Sequence, residues 1–208
     1  GSGEYTGDIA LAGGKFSATD SQVMSGTLSI TADSELAVSE NYTLTLTQSG
    51  GLALGANTLT LSGGGSLVSG GLTLDNAISK LLLNSITVDN VSTTSDSLGL
   101  DVDAGSTVSS LSVAHTTPVS IASGRSLSGG ITVSAGSIKL DKTGTLASDV
   151  SMSGGTLDVD ETSTLTGTLS HSAVILIHIF IRILFFEVFK IICFNRLPID
   201  ETAFHLKI

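Results

Sequence analysis

Ile138-Lys139-Leu140-Asp141-Lys142-Thr143-Gly144-Thr145-Leu146 is followed, nineteen residues on, by Leu157-Asp158-Val159-Asp160-Glu161-Thr162-Ser163-Thr164-Leu165. Aliphatic, polar and turn-forming residues return at the same places. Outward from this pair the step holds over 81–170. Leu81, Leu100, Val119, Ile138 and Leu157 form one column, and Leu83, Val102, Ile121, Leu140 and Val159 a second. Val108, Leu127, Leu146 and Leu165 give a third, and Ile131, Val150 and Leu169 a fourth. Most intervening residues are Ser, Thr, Gly or Asp.

Apolar residues two apart put both on one side of an extended chain, because successive side chains of a strand point to opposite faces. No repeat has the i, i+3, i+4, i+7 spacing of an amphipathic helix. A single repeat has too few aliphatic side chains to close a core. Stacking identical repeats about 4.8 Å apart turns each column into a continuous interior ladder. The expectation is an all-β, single-stranded parallel β-helix, or β-solenoid, of about 19 residues per coil. Right-handedness is the default for parallel crossovers.

The stacking makes claims about polar residues. Lys139 and Asp158, and Lys142 and Glu161, become neighbours of opposite sign, while Asp141 and Asp160 stack with like sign. Exposed pairs of this kind are worth about 0–1 kcal/mol each and bear on register more than on stability. Thr107, Ser126, Thr145 and Thr164 are expected in one hydroxyl column beside the third aliphatic column.

Upstream, over 1–80, the period is looser. Leu28/Ile30, Leu36/Val38, Leu44/Leu46, Leu52/Leu54, Leu59/Leu61 and Leu72/Leu74 are apolar pairs at spacing two, separated by turn signals such as Ser49-Gly50-Gly51. This half reads as the same solenoid with insertions; a separate small capping sheet is the alternative. Val88-Asp89-Asn90 and Ser92–Ser97 read as a polar loop thrown out of one coil. The glycine pairs Gly129-Gly130 and Gly154-Gly155 mark corners. The start, Gly1-Ser2-Gly3-Glu4, has no initiator Met and no signal pattern, so the chain is read as a fragment of a longer one or a processed product, and its targeting is not legible there.

Near Ser170 the composition breaks. All 24 glycines precede residue 171, whereas six of seven Phe and the lone Cys193 follow it. The division expected is a solenoid over 1–170 and a hydrophobic tail over 171–208. On the nineteen-residue register His171 falls in the column of Met152, and His178 in that of Val159. Three readings of 173–194 stand side by side: a membrane-crossing helix, a hydrophobic cap over the open end, and a change of reading frame at the end of a partial coding sequence. For the first, 18 apolar residues at about −0.5 kcal/mol are offset by Arg182, Glu187 and Lys190 at about +3 each, so insertion is marginal. The isoleucines at alternate positions from Ile175 to Ile183 favour a strand locally, with a helix expected from about Phe180 onward.

The net charge of −10 argues against a nucleic-acid partner, since phosphate contacts need Lys and Arg. Of the carboxylate pairs, Asp101/Asp103 and Asp158/Asp160 each flank an inward valine, so both acids of each pair are expected to face solvent. The four histidines lack metal-ligand spacing. No nucleophile elbow or phosphate loop occurs. Catalytic, cofactor-binding and metal residues are therefore all expected to be none, and the chain is read as a non-enzyme without cofactor. Asn41-Tyr42-Thr43 and Asn90-Val91-Ser92 match the N-glycosylation pattern.

Gly144-Thr145-Leu146, Gly155-Thr156-Leu157-Asp158-Val159 and Ser163-Thr164-Leu165-Thr166-Gly167-Thr168-Leu169 resemble the repeats of bacterial autotransporter passengers and large repetitive surface adhesins. The resemblance covers roughly 100–170. It implies secretion, an extracellular or cell-surface location, a parallel right-handed β-helix and a stalk or adhesive role, with a surface glycan or protein as partner. It carries no site residue, because the repeats are scaffold. Two other functions stay open. One is a carbohydrate-binding or carbohydrate-processing β-helix, although Tyr5, Phe16 and Tyr42 are the body's only aromatics. The other is ice binding, hinted at by Thr43-Leu44-Thr45-Leu46-Thr47 and Thr58-Leu59-Thr60.

Overall fold

A computed structural model of the protein describes residues 3–172 and 176–179. Every regular element among them is a strand, and all strand pairings are parallel; one isolated antiparallel bridge joins Ser39 to Gly64. The strands form a thirteen-stranded and a nine-stranded sheet wound into a β-solenoid of about 8 turns with roughly 20 residues per turn.

The cross-section has three walls. The third wall is the nine-stranded sheet, from Ile9–Ala18 to Leu176–Ile179. The thirteen-stranded sheet supplies the first two. Thr87–Thr93 passes through the corner between them: Thr87 and Val88 pair with Ser66 and Leu67 on the first wall, and Val91–Thr93 with Leu72–Leu74 on the second. Ser106–Val113 and Ser126–Val133 turn the same corner without a break. This is where Gly129-Gly130 sits, a corner taken inside a strand.

The two leading columns hold rung by rung. Leu81, Leu100, Val119, Ile138 and Leu157 are successive partners, as are Leu83, Val102, Ile121, Leu140 and Val159. All are buried, none more than 5% exposed. The fourth column is longer than the sequence suggested. Leu52, Leu72, Val91, Leu111, Ile131, Val150 and Leu169 stack in order along the second wall.

The looser half belongs to the same ladders. Phe16 lies opposite Leu36, a step of 20; Leu36 opposite Leu61, a step of 25; and Leu59 opposite Leu81, a step of 22. Residues added at corners lengthen a coil without moving its inward pairs, which is why the regular period blurs there. Thr87–Thr93 is a rung and not a projecting loop. Val88, Val91 and Thr93 point inward, and the polar residues between them occupy the outer side. Thr93 is accommodated because its hydroxyl donates to Ala114 O (2.6 Å) and accepts from Ala114 N (2.7 Å).

The third column departs from the expected register. Leu127 lies opposite Ser106, not Val108; on its other side, Val108 pairs with Val88 of the preceding coil. A bulge between Thr107 and Ser110 absorbs one residue. The hydroxyl column follows suit: Ser126, Thr145 and Thr164 stack, whereas Thr107 moves opposite Ser128, with 2.8 Å between the two hydroxyl oxygens.

Past Ser170 the ladders continue. His171 is opposite Met152, as the nineteen-residue step requires. Leu176–Ile179 is a further strand of the third wall, but at a step of 20, so His178 lies opposite Asp158 and Ile179 opposite Val159. The extra residue sets His178 one register position away from Val159, the partner the strict period assigned it. The helix expected from Phe180 lies outside the described residues, as does most of the segment read as membrane-crossing, cap or altered frame.

Candidate functional surface

With the columns turned inward, every other residue of each strand is delivered to the outside, and the three walls acquire different chemistry. On the second wall the central outward column runs Ala53, Thr73, Ser92, Ser112, Thr132, Ser151, Ser170. It is uncharged and small throughout. On the third wall the matching column runs Thr60, Leu82, Asp101, Ser120, Lys139, Asp158.

The ion pairs of the described residues gather on that third wall and its margins. Lys15 meets Glu35 at 2.8 Å, Lys80 meets Asp101 at 2.7 Å and Lys142 meets Glu161 at 3.1 Å. The Lys142–Glu161 contact is the one the nineteen-residue step predicted. Lys139 does stand opposite Asp158 in the backbone register, yet its ammonium turns to Asp141, at 2.8 Å. Asp141 lies two residues along the chain, just past the end of the strand Ser137–Leu140, and is reached without spanning to the next rung. The hydrogen bond from Lys139 to Asp141 holds the lysine above its ordinary range, with smaller help from Asp160 and Asp158. Glu35 is held below its ordinary range chiefly by the bond from Lys15, then by one from Ser62.

Asp101, Asp103, Asp158 and Asp160 all face outward beside the buried Val102 and Val159. Asp158 is not engaged by Lys139, so Asp158→Ala is expected to leave stability within about 0.5 kcal/mol of the parent, the usual range for such surface changes. A thermal midpoint that moved by more than about 3 °C would show that the side chain is engaged in the fold.

Sequence reasoning overlooked a second use of aspartate. At corners, carboxylates accept from backbone amides of the adjacent coil. Asp8 accepts from Thr27 N (2.7 Å), Asp33 from Thr58 N (2.7 Å), Asp96 from Thr116 N (2.8 Å) and Asp149 from Thr168 N (2.7 Å). Asp75 and Asp89 reach the other way, to Gly55 N and to Ser69 and Gly70 N. Corner amides leave the ladder because the chain turns there, and the carboxylate supplies the missing acceptor. A signal was present: in the first four cases the residue one coil after the aspartate is a threonine.

Shallow depressions occur where the glycines of the corner remove side chains, lined by Gly129, Gly130, Ser148, Thr166 and Gly167 and by the Ser and Thr of the adjoining second wall. Their one carboxylate, Asp149, is already bound to Thr168 N. The Thr-x-Thr segments do not share a face. Thr43 and Thr45 lie on the first wall opposite Ser66 and Val68, and Thr58 and Thr60 on the third opposite Lys80 and Leu82. Tyr5 and Phe16 pack edge to face with ring centroids 6.2 Å apart near the N-terminal end. Asn41 and Asn90 are both exposed, Asn41 with φ 68°. Among the described residues no group of three or more His, Cys, Asp or Glu could hold a metal, and no helix is long and apolar enough to cross a membrane.

No family model matches the chain, and neither the curated proteins nor the solved structures contain a match to it.

Proposed function

We propose that the chain is a structural segment, a rigid spacer or adhesive stalk, of a larger secreted or cell-surface protein, and that it performs no catalysis. The observation that carries this reading is the continuity of the ladders. Inward columns run from Leu36 to Val159 on the third wall with no rung missing. Backbone hydrogen bonds then lie along the axis of the rod, so bending or stretching it must distort many of them together. The outward acids, and the engagement of Asp149 with a backbone amide, support this reading over the carbohydrate-processing one, which needs two convergent carboxylates. An adhesive role would use a glycan or protein as its partner.

Deletion of residues 119–137 tests the proposal. It removes one coil and joins Pro118 directly to Ile138, which takes the register position of Val119. The shortened chain is expected to keep its β circular dichroism and to lose about 4.8 Å of length, read as a distance between labels on either side of the deletion. A chain that unfolds, or one whose parent hydrolyses a polysaccharide, would overturn the spacer reading.

A further inference from the structure

We infer that the rod carries a seam between its second and third coils. Residues 3–39 open there as one unit, and the side-chain amides of Gln48 and Asn57 are its clasps. At every other step along the second wall, among the described residues, successive coils meet through backbone pairing. Ile9–Ala18 and Leu28–Val38, in the first two coils, are paired from Ile9 opposite Leu28 to Ala18 opposite Val38. Leu28–Val38 then pairs with the third coil only through Ser34–Ala37, against Leu59–Ser62. The leading part of that strand, Leu28–Ile30, extends back along the second wall, where it faces Leu52–Ala53 without pairing to it. Leu52–Ala53 pairs with Leu72–Leu74 on its other side alone.

Two carboxamides stand where the rungs are missing. The Gln48 side-chain oxygen accepts from Leu28 N at 2.6 Å, and its nitrogen donates to Gly51 O at 2.5 Å. At the far end the Asn57 side-chain nitrogen donates to Ile30 O at 3.2 Å and to Leu54 O at 3.0 Å. Each amide thus spans the two coils and satisfies a backbone group on either side. Coil length accompanies the break. The step between these coils is 22 at Gln22–Leu44 and 25 at Ser34–Leu59, so three residues are added over the stretch that holds Leu52–Ala53. Leu28, Leu52 and Leu54 stay buried, so the interior remains closed although the ladder does not.

A side-chain rung is weaker than a backbone one. Gln48 and Asn57 must give up rotamer freedom to hold it, and both residues are half-buried, so water competes for their bonds. The other sides of the junction are tied by backbone. Gln22–Met24 pairs with Leu44–Leu46 on the first wall, and Ser34–Ala37 with Leu59–Ser62 on the third. Glu35 accepts from the Ser62 hydroxyl at 2.6 Å and Asp33 from Thr58 N at 2.7 Å. Opening therefore begins on the second wall. The first two coils, paired with each other along their length, come away together. In a stack whose units touch only their neighbours, partial opening follows the weakest junction.

Amide hydrogen exchange on the full chain, read by mass spectrometry of peptides, tests this. Peptides within 9–38 are expected to share one opening and to exchange about tenfold or more faster than those within 58–84, with a single step at the seam. Simple fraying of an end would instead give protection that climbs coil by coil. Asn57→Asp keeps the shape but sets a carboxylate against two carbonyl oxygens. It should speed exchange of 9–38 by about a further tenfold and leave 118–140 within about twofold of the parent. Gln48→Glu keeps the bond from Leu28 N, loses the one to Gly51 O, and should act in the same direction more weakly. The step in the parent chain decides the matter even where a variant fails to fold. A gradual climb from the first coil to the fourth, equal protection of 9–38 and 58–84, or folded variants that speed every segment alike would overturn the seam. None of these results bears on the spacer reading, which the coil deletion addresses separately.

Discussion

Replacement of Leu146 by Asp is expected to abolish the folded state of the regular half. Leu146 is fully buried on the first wall, with Leu127 below it and Leu165 above. Removing a buried leucine costs about 2–5 kcal/mol through lost transfer energy and the cavity left behind. A carboxylate in its place has no partner in an aliphatic column, so it must be buried charged or take up a proton, at a further cost of several kcal/mol. The sum approaches the whole stability of an ordinary domain, about 5–15 kcal/mol. Stacked repeats depend on their neighbours, so the coils on either side lose an interface as well. Far-UV circular dichroism should lose much of its β signal. Ala147→Asp, one residue on and exposed, serves as the control and should fold normally. A Leu146→Asp chain with an unchanged spectrum and a midpoint within a few degrees of the parent would show that the column is not a core.

The columns were legible because burial on one side of a strand leaves a period-two pattern, and stacking repeats that pattern at a fixed interval. Leu100, Val119, Ile138 and Leu157 state both facts without any structure. What stayed illegible was anything set by a local change of coil length. Val108 is aliphatic and in phase with Leu127, yet the pairing of its strand with the next coil places Ser106, not Val108, opposite Leu127. His178 is displaced the same way, by one added residue in its coil. Strict periodicity cannot detect a slip that substitutes one inward residue for another. The polar surface was harder still. Lys142 found Glu161, but Lys139 had two carboxylates in reach and took the one two residues along its own coil. The aspartate staples escaped because the sequence reading asked which acids could converge on a substrate, whereas the unsatisfied groups of this fold are its own corner amides. As for function, a surface with segregated charge and hydroxyl walls restricts what it can bind without specifying it, and scaffold repeats carry no site to transfer.

The Gly129-Gly130 pair yields the sharpest contrast between neighbours. Both glycines looked like interchangeable corner residues. In the fold Gly129 has φ 126°, and a Cβ there would run into the carbonyl oxygen of Val108 on the coil below. Val108 lies within the bulged stretch between Thr107 and Ser110, so the slip in the third column and the demand for glycine fall at the same place. Gly130 has no such φ, and a Cβ there would meet Ser109 O at an ordinary 3.7 Å. Gly129→Ala is therefore expected to cost about 3–5 kcal/mol, combining the penalty of a backbone region nearly closed to L-residues with a clash that only a backbone shift relieves. Gly130→Ala should be neutral or stabilising by about 0.4–1 kcal/mol, through the reduced freedom of the unfolded chain. Parallel thermal melts of the two variants make the comparison. For a chain of this size the first should lower the midpoint by roughly 6–20 °C and the second should not lower it. Equal midpoints would mean that the coil beneath gives way freely at Val108, and that the rungs of this rod are not held rigidly one above another.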